Sequence, residues 1–532
     1  MKGTFGSAAP AILLCTAALL PFHDKAFTVD DTLFLRQAAQ LLEHPLHPTA
    51  FEMVWSEAPF PLRVSRIMPS GTLMAYLLVP VVLLGGAEWL AHLLQLAALA
   101  ATVLATVSLG LRLGLGSGGA ATAGLLLAAT PAVLAMASTG MPDVPAMALG
   151  AVAIERLHAW RLERRGHQAV IGALALGLAP LARPHLWLLL AVAALVVTDP
   201  LRDRARFRVP WSRLAPVAAA PLLTLALALL TRDPLAGAGS QLGAVRTYSA
   251  IDHFAPNLLA FAAHWVLALP LAVPWVLLRY RALAARPTSY AATALAALAV
   301  MGLPGERTGL WLAPIAGLGG AVLWDVLADG WRRRDATRLL LATWLFVPLV
   351  VTPYLHLPSK YLLVSAPAVA LLVAGELSNR PRLGARCIAG VTLAGGLALG
   401  VLVIRADAAF AGLGRRAAAE LIAPHVAAGR QVWFDGHWGF QWYAEQAGAR
   451  CLTATPPHPA RGDLAVSSLR SMGGVIAGFP RRRLLASLSD DAPGGRLMSR
   501  EDGAGFFSND WGYLPWAWGT GELDRFDLWT FE

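Results

Sequence analysis

The sequence predicts a polytopic all-α membrane bundle of about 13 transmembrane helices, followed by a C-terminal extra-cytoplasmic α/β domain. Of its 532 residues, 56% are hydrophobic and only 14% are charged, whereas soluble proteins carry roughly 25% charged residues. Apolar runs recur from Ala8 to about Ile404 and then stop. The composition therefore excludes an ordinary soluble enzyme, and it divides the chain into a membrane part (1–404) and a polar part (405–532).

Apolar windows of about 17 to 22 residues, the length that crosses a bilayer, define the predicted spans. Their bounds are 6–22, 89–111, 119–138, 142–158, 168–181, 185–199, 211–230, 257–277, 288–303, 308–327, 337–354, 360–376 and 386–404. No small-x-small cleavage site follows the first window, so we interpret it as a retained helix and not as a signal peptide.

The basic residues predict the orientation of the bundle. With Lys2 inside, the inner loops and helix ends carry 21 basic residues and the outer loops 9, as expected for a bacterial inner-membrane protein whose cytoplasmic loops are positive. The first large loop (23–88) and the C-terminal domain then lie on the outer, periplasmic side. Residues 72–86 are apolar, but counting them as a span would reverse every later loop, so they are predicted to form an interfacial helix.

The residues do not support three other roles, which are nucleic-acid binding, a cysteine-based metal or redox site, and transport. A pI near 10.0 can indicate nucleic-acid binding, but the sequence shows no basic stripe with aromatic readers. We therefore expect membrane lipids as partners, and no nucleic acid. The three cysteines have neither metal-site nor redox spacing. A transporter is typically marked by an internal repeat and by ionisable groups at mid-membrane, and we see no such repeat and few such groups.

An acidic pair, Asp30 and Asp31, opens the helical-looking segment TLFLRQAAQLLEHPLHP in the first outer loop. One interpretation is a helix N-cap, in which a carboxylate accepts backbone N–H bonds. The other is a carboxylate beside a lipid-facing cavity that deprotonates or orients an acceptor hydroxyl or amine. The residues alone leave both open.

Three segments, in order and spacing, resemble one known family. They are the acidic pair followed by P-x-x-x-L-x-x-Y-L-L from Pro69 to Leu78, the segment ASTGMPDVPAMALGAVAIERLHAW around Asp143, and HLPSKYLLVSAPAVALL at 356–372. Together they resemble the GT-C membrane glycosyltransferases of family 39, the protein O-mannosyltransferase and aminoarabinose transferase group. The resemblance implies an inverting hexosyl or pentosyl transfer from a polyprenyl-phosphate-linked donor to a lipid, glycan or protein acceptor.

The resemblance also implies roles for individual residues. Asp30 takes the position of the catalytic base. Asp31 is either a second catalytic carboxylate or a residue that only caps the helix or supports Asp30. The leaving phosphate needs cations, and the candidates on the outer side, with their aromatic neighbours, are Lys360, Tyr361, Arg63, Arg66, Arg183 and His185. Lys360 could equally be a snorkelling anchor, and Arg183 and His185 could equally be loop residues without a function.

Asp143 suits the positive end of a helix by itself, and only the resemblance assigns it a substrate contact. A divalent cation shared by Asp30, Asp31 and Asp143 is possible, although no metal ligand set is assigned. Met68 departs from the aminoarabinose branch, which has a lysine there. This departure keeps a noncatalytic relative open as an alternative. An envelope lipid or glycan transporter or flippase is a separate alternative.

The polar C-terminal part predicts a strand in QVWFDGHW, a helix in GFQWYAEQAG and a second strand in DLAVSSLR. Seven of the 18 tryptophans lie here. They suit glycan contact, packing of a small domain or the membrane interface equally well.

Overall fold

The computed structural model describes residues 2–55, 58–68, 71–198, 211–236, 249–269, 271–285, 288, 291–295 and 309–532. Most of the predicted window 288–303 and the motif residue Pro69 lie outside these residues. Across the described membrane part the chain is helical apart from short turns and one small hairpin in the first outer loop, and the C-terminal part contains a sheet.

The described α-helices are α1 (Lys2–Leu19), α2 (Asp31–Glu43), α3 (Val64–Ile67), α4 (Thr72–Leu83), α5 (Glu88–Arg112), α6 (Gly116–Ala128), α7 (Pro131–Met136), α8 (Asp143–Glu163), α9 (Gly166–Ala182), α10 (Leu189–Thr198), α11 (Ala215–Leu230), α12 (Phe254–Leu267), α13 (Ala272–Ala284), α14 (Gly309–Arg333), α15 (Ala336–Leu345), α16 (Ala366–Ser378), α17 (Arg382–Ala417), α18 (Ala423–Ala427) and α19 (Trp438–Gln446). Short 3₁₀ helices cover Leu20–Phe22, Pro184–Leu188, Trp211–Arg213, Ile251–His253, Val347–Val351, Ser359–Ser365 and Val475–Gly478.

Five helical segments within the described residues are long and apolar enough to cross a membrane, and a sixth is possible if the pair Ile251–Leu267 and Ala272–Ala284, bent by 88°, is one span. The five are Gly3–Phe22, Glu88–Arg112, Leu312–Arg333, Ser359–Ser378 and Leu383–Ala427. Several other predicted windows form shorter apolar helices, and 119–138 is split at Pro131, which has no N–H for a helical hydrogen bond. The protein is thus a multi-pass membrane protein, while the count of about 13 spans stays a prediction.

Helix α4 corresponds to the apolar stretch that the arginine distribution excluded as a span. Its 12 residues extend about 18 Å, well short of the roughly 30 Å of a hydrocarbon core. It packs against α2, α5 and α9. The length agrees with a helix that does not cross the membrane, and its interfacial position stays a prediction.

The C-terminal domain has the predicted strand–helix–strand order. Its strands, numbered after the hairpin β1 (Glu52–Met53) and β2 (Leu62–Arg63), are β3 (Val432–Asp435), β4 (Arg450–Cys451), β5 (Leu464–Ser468), β6 (Arg482–Ser489), β7 (Gly494–Arg496), β8 (Met498–Ser499), β9 (Ala504–Gly505), β10 (Ala517–Gly519) and β11 (Arg525–Phe531). The main sheet has the order β4-β3-β5-β11-β6, with β3 parallel to β4 and β5, and β11 antiparallel to β5 and β6. Helix α19 follows β3 directly, so the α/β prediction is confirmed.

The C-terminal domain packs on the loop that bears the acidic pair. The Tyr443 hydroxyl accepts a hydrogen bond from the Phe27 N–H at 2.8 Å, and the Thr32 hydroxyl donates to the Trp438 carbonyl at 2.6 Å. A Cβ at Gly439 would lie 2.0 Å from the Phe27 carbonyl oxygen, so only glycine allows this approach. The predicted boundary after residue 404 falls within α17, which runs unbroken from the bundle toward this domain.

Candidate functional site

Asp30 binds a lysine instead of capping its helix. It occupies the N-cap position of α2, but its side chain makes no capping hydrogen bond. Its Oδ2 lies 2.8 Å from Nζ of Lys360, and the Lys360 side chain is buried. Burial raises the pKa of Asp30, but the Lys360 ammonium, together with Arg183 and His356, lowers it by more than burial raises it. The net pKa therefore lies below its usual value. Asp30 is therefore held ionised.

Asp31 is fully buried and binds backbone amides on both sides. Its Oδ2 accepts from the Thr28 N–H at 2.9 Å, and its Oδ1 accepts from the Gly140 N–H at 2.8 Å. Gly140 lies in the turn between α7 and α8, just before Asp143. Asp31 thus ties the acidic loop to that turn, and its two carboxylate oxygens hold the backbone around Asp30. Burial raises its pKa to about 7, although Lys25 opposes the rise.

This raised pKa predicts a pH-dependent stability. An aspartate whose folded pKa of about 7 exceeds an unfolded value of about 3.9 binds its proton more tightly when folded. Its stabilising contribution is complete below about pH 4 and is lost as the pH rises toward 7. We expect the melting temperature in nanodiscs to fall more steeply between about pH 5 and about pH 8 for the wild type than for Asp31→Asn. Parallel pH profiles for the two proteins would refute this.

A second buried pair lies beside Lys360. The Arg183 guanidinium donates from Nε and from one terminal nitrogen to the two oxygens of Asp143, at 3.0 and 2.6 Å. Both side chains are buried, and such a bidentate pair fixes the plane of the guanidinium. Asp143 is the first residue of α8, so the predicted helix-end position is correct, and Asp143 has a cationic partner as well.

The ring of Tyr361 gathers the remaining candidates around Lys360. The Arg183 guanidinium lies 5.1 Å from the Tyr361 ring centroid, a cation–π distance. The His185 ring also lies 5.1 Å from that ring. The structure therefore brings together Asp30, Asp143, Arg183, His185, Lys360 and Tyr361, which come from four separate segments of the sequence.

The C-terminal domain supplies contacts that the sequence had not suggested. The Ser508 hydroxyl lies 3.1 Å from Nδ1 of His356, whose Nε2 lies 3.5 Å from the Tyr361 hydroxyl. The Phe507 ring centroid is 5.6 Å from Nζ of Lys360. His356 belongs to the HLPSKY motif. The segment FFSNDWG resembles the tails of bacterial members of the family, but the sequence assigned it no chemistry, because its partners lie about 150 residues earlier.

Two predicted phosphate contacts are not brought into this group. One guanidinium nitrogen of Arg63 donates to Oδ1 of Asp233 at 2.8 Å, and the Ser65 hydroxyl donates to the same carboxylate. Arg66 is exposed and has no hydrogen-bond or ion-pair partner among the residues that the structure describes. Arg63 thus ties the outer loop to the end of α11, and nothing in the described structure links Arg66 to Lys360.

The three outer carboxylates do not converge on one point. Asp30 binds Lys360, Asp31 binds two backbone amides and Asp143 binds Arg183. In the described part of the chain no group of three or more His, Cys, Asp or Glu side chains is placed to hold a metal ion. A divalent cation shared by these carboxylates would therefore require that they exchange their present partners.

No protein-family model and no curated protein matches the chain. Several solved structures are similar to it. ArnT from Cupriavidus metallidurans bound to undecaprenyl phosphate is 16% identical, over 90% of this chain and 95% of that one, with a TM-score of 0.48. The Archaeoglobus fulgidus oligosaccharyltransferase in the apo form is 13% identical, over 85% of this chain and 64% of that one, with a TM-score of 0.47.

The mycobacterial arabinofuranosyltransferase AftD is also similar, with 15% identity over the whole of this chain and 40% of that one, and a TM-score of 0.42. These solved structures are GT-C glycosyltransferases, the class that the sequence resembles.

Proposed function

We propose that this protein is an inverting, GT-C-type glycosyltransferase that moves a sugar from a polyprenyl-phosphate donor to an acceptor at the outer face of the bacterial inner membrane. The observation that carries the proposal is the direct pairing of an ionised carboxylate, Asp30, with a buried cation, Lys360, beside a second cation, Arg183. Such a reaction needs a negative group near the attacking acceptor and positive groups near the departing phosphate.

In this reaction the acceptor oxygen or nitrogen forms a bond to the anomeric carbon, and the bond from that carbon to the phosphate oxygen breaks. The proton of the acceptor passes to Asp30. The bonding electrons leave with the polyprenyl phosphate, whose negative charge Lys360 and Arg183 stabilise. Attack on the face opposite the phosphate inverts the anomeric centre.

The present partners of these residues suit that sequence of events. Lys360 keeps Asp30 ionised before substrate binds, and a donor phosphate would compete with Asp30 for the lysine. Released from Lys360 and still only 21% exposed, Asp30 would become a stronger base. Arg183 uses two of its nitrogens on Asp143, which leaves the third to meet a phosphate oxygen.

The experiment is a transfer assay on the full-length protein in nanodiscs. The donors are labelled undecaprenyl-phosphate pentoses and hexoses, and the acceptors are a membrane lipid and glycan extract. We expect time-dependent loss of label from at least one donor, with release of undecaprenyl phosphate. If no donor is consumed, and labelled polyprenyl phosphate crosses the bilayer of proteoliposomes that contain the protein, then the flippase alternative is correct and the proposed function is wrong.

A further inference from the structure

A buried carboxylate on the last long helix binds the loop that carries Asp30. Asp407 lies in α17 and is 3% exposed. Its Oδ1 accepts a hydrogen bond from the Thr28 hydroxyl at 3.0 Å, and its Oδ2 lies 2.8 Å from Nζ of Lys25, which is also buried. With both oxygens occupied, Asp407 is a holding group and not a free base.

The backbone between Thr28 and Asp30 is strained. Val29 has φ of +33°, a region that β-branched residues rarely enter, at a cost of about 1–3 kcal/mol. Such a conformation persists only where contacts on both sides enforce it. On the following side, Asp30 and Asp31 are held by Lys360 and Gly140. On the preceding side, Thr28 donates its N–H to Asp31, accepts the Asp31 N–H at its carbonyl, and donates its hydroxyl to Asp407. Of these three bonds, only the last ties Thr28 to another part of the protein.

Packing confines the side chain of Val29, which is 4% exposed and belongs to the main hydrophobic core. Val29 and Asp407 border a cleft between α17 and the C-terminal domain, and Phe410, Arg496 and Phe507 line it as well. Packing therefore holds the Val29 side chain, while the bond from Thr28 to Asp407 holds the backbone that precedes it. Turning Val29 out of the positive-φ region would rotate the next peptide and move the carboxylate of Asp30 away from Lys360.

We propose that Asp407 is a positioning residue for the acidic pair. Through the Thr28 hydroxyl and Lys25, it keeps Val29 in its strained conformation and thereby directs Asp30 toward Lys360. The expected effect on kcat rests on the proposed function, whereas the restraint of the acidic loop by Asp407 does not. It also assigns a role to the end of α17, which joins the bundle to the C-terminal domain.

The test compares Thr28→Val, which loses only the hydroxyl, with Thr28→Ser, which keeps it. Misplacement of a reacting group by about 1 Å can cost about 100-fold in rate, so we expect Thr28→Val to lower kcat about 10- to 100-fold with the KM of the donor nearly unchanged. Thr28→Ser should retain the wild-type kcat. Asp407→Asn should also lower kcat, and the double variant Thr28→Val/Asp407→Asn should be no slower than the slower single variant.

Thr106→Val is the matched control, because it removes another buried threonine hydroxyl that bonds only within α5. It should leave kcat unchanged. A second readout, hydrogen exchange of the peptide covering residues 25–32, should be faster in Thr28→Val than in the wild type or Thr106→Val.

Three outcomes are informative. If the wild type transfers sugar and Thr28→Val matches its kcat and exchange rate, then the inference is wrong and the proposed function stands. If Thr28→Ser is as slow as Thr28→Val, the hydroxyl is not the cause and the inference is again wrong. If the wild type transfers nothing, the proposed function fails, and the exchange rates alone decide whether Asp407 holds the loop.

Discussion

Replacing Asp30 by asparagine is expected to lower kcat of sugar transfer by about 10²- to 10⁴-fold, the range that a positioned general base contributes. The amide has nearly the same shape as the carboxylate but cannot accept the acceptor's proton. Lys360 would lose its counter-ion and remain available to the donor phosphate, so we expect the KM of the donor to stay the same or fall. Initial rates in nanodiscs, over a range of donor concentrations, measure both constants.

Glu43→Gln is the control for this experiment. Glu43 is an exposed carboxylate at the opposite end of the same helix, α2, so the change removes the same charge from the same loop without touching the site. We expect it to retain wild-type transfer. Equal kcat for Asp30→Asn and the wild type would remove Asp30 from the reaction and, with it, the proposed mechanism.

Replacing Lys360 by methionine is expected to lower kcat by about 10²- to 10³-fold, as for removal of one group that stabilises developing negative charge. Methionine keeps most of the apolar length of lysine but leaves the departing phosphate without its nearest cation. It also leaves Asp30 unpaired, so the pKa of Asp30 should rise and transfer should be lost first at acid pH. Lys360→Arg should recover part of the rate, because it restores a positive charge in the same place.

Variants of two other cationic residues serve as comparisons for Lys360→Met. Arg332→Met removes an exposed cation from a predicted cytoplasmic loop, and it should have no effect on transfer. Arg66→Met should have a smaller effect than Lys360→Met, since the described structure shows no link between Arg66 and the site. A larger loss at Arg66 than at Lys360 would show that the phosphate lies near the outer-loop arginines, as one of the sequence-based candidates implied, and would contradict the site described above.

Local pattern was enough to predict the first part of the C-terminal domain. The strand in QVWFDGHW, the helix after it and the strand in DLAVSSLR lie where alternation and turn residues indicated, because these signals act over only a few residues. The interrupted apolar helices were harder to predict. Hydropathy averages over a window, and it does not register that one helix ends at Ala128 and another begins at Pro131 within 119–138.

The pairing of charges could not be predicted. Asp143 and Arg183 are 40 residues apart, and Asp30 and Lys360 are 330 apart, so no spacing rule connects them. For the same reason the sequence could not show that Arg63 is bound to Asp233, or that Asp31 binds backbone amides while Asp30 binds a lysine. Adjacent aspartates look alike in a sequence, and only their different surroundings separate their roles.

The sequence by itself determined that this chain is a membrane protein with a polar C-terminal domain, because hydrophobicity is a property of composition that needs no partner. Through its three motifs it also named Asp30, Asp143 and Lys360 as residues of interest. The tertiary structure alone decided that these residues meet, and that the C-terminal domain and α17 hold the acidic loop. Contacts between side chains remote in sequence depend on how the helices pack, and packing is a collective property of the folded chain.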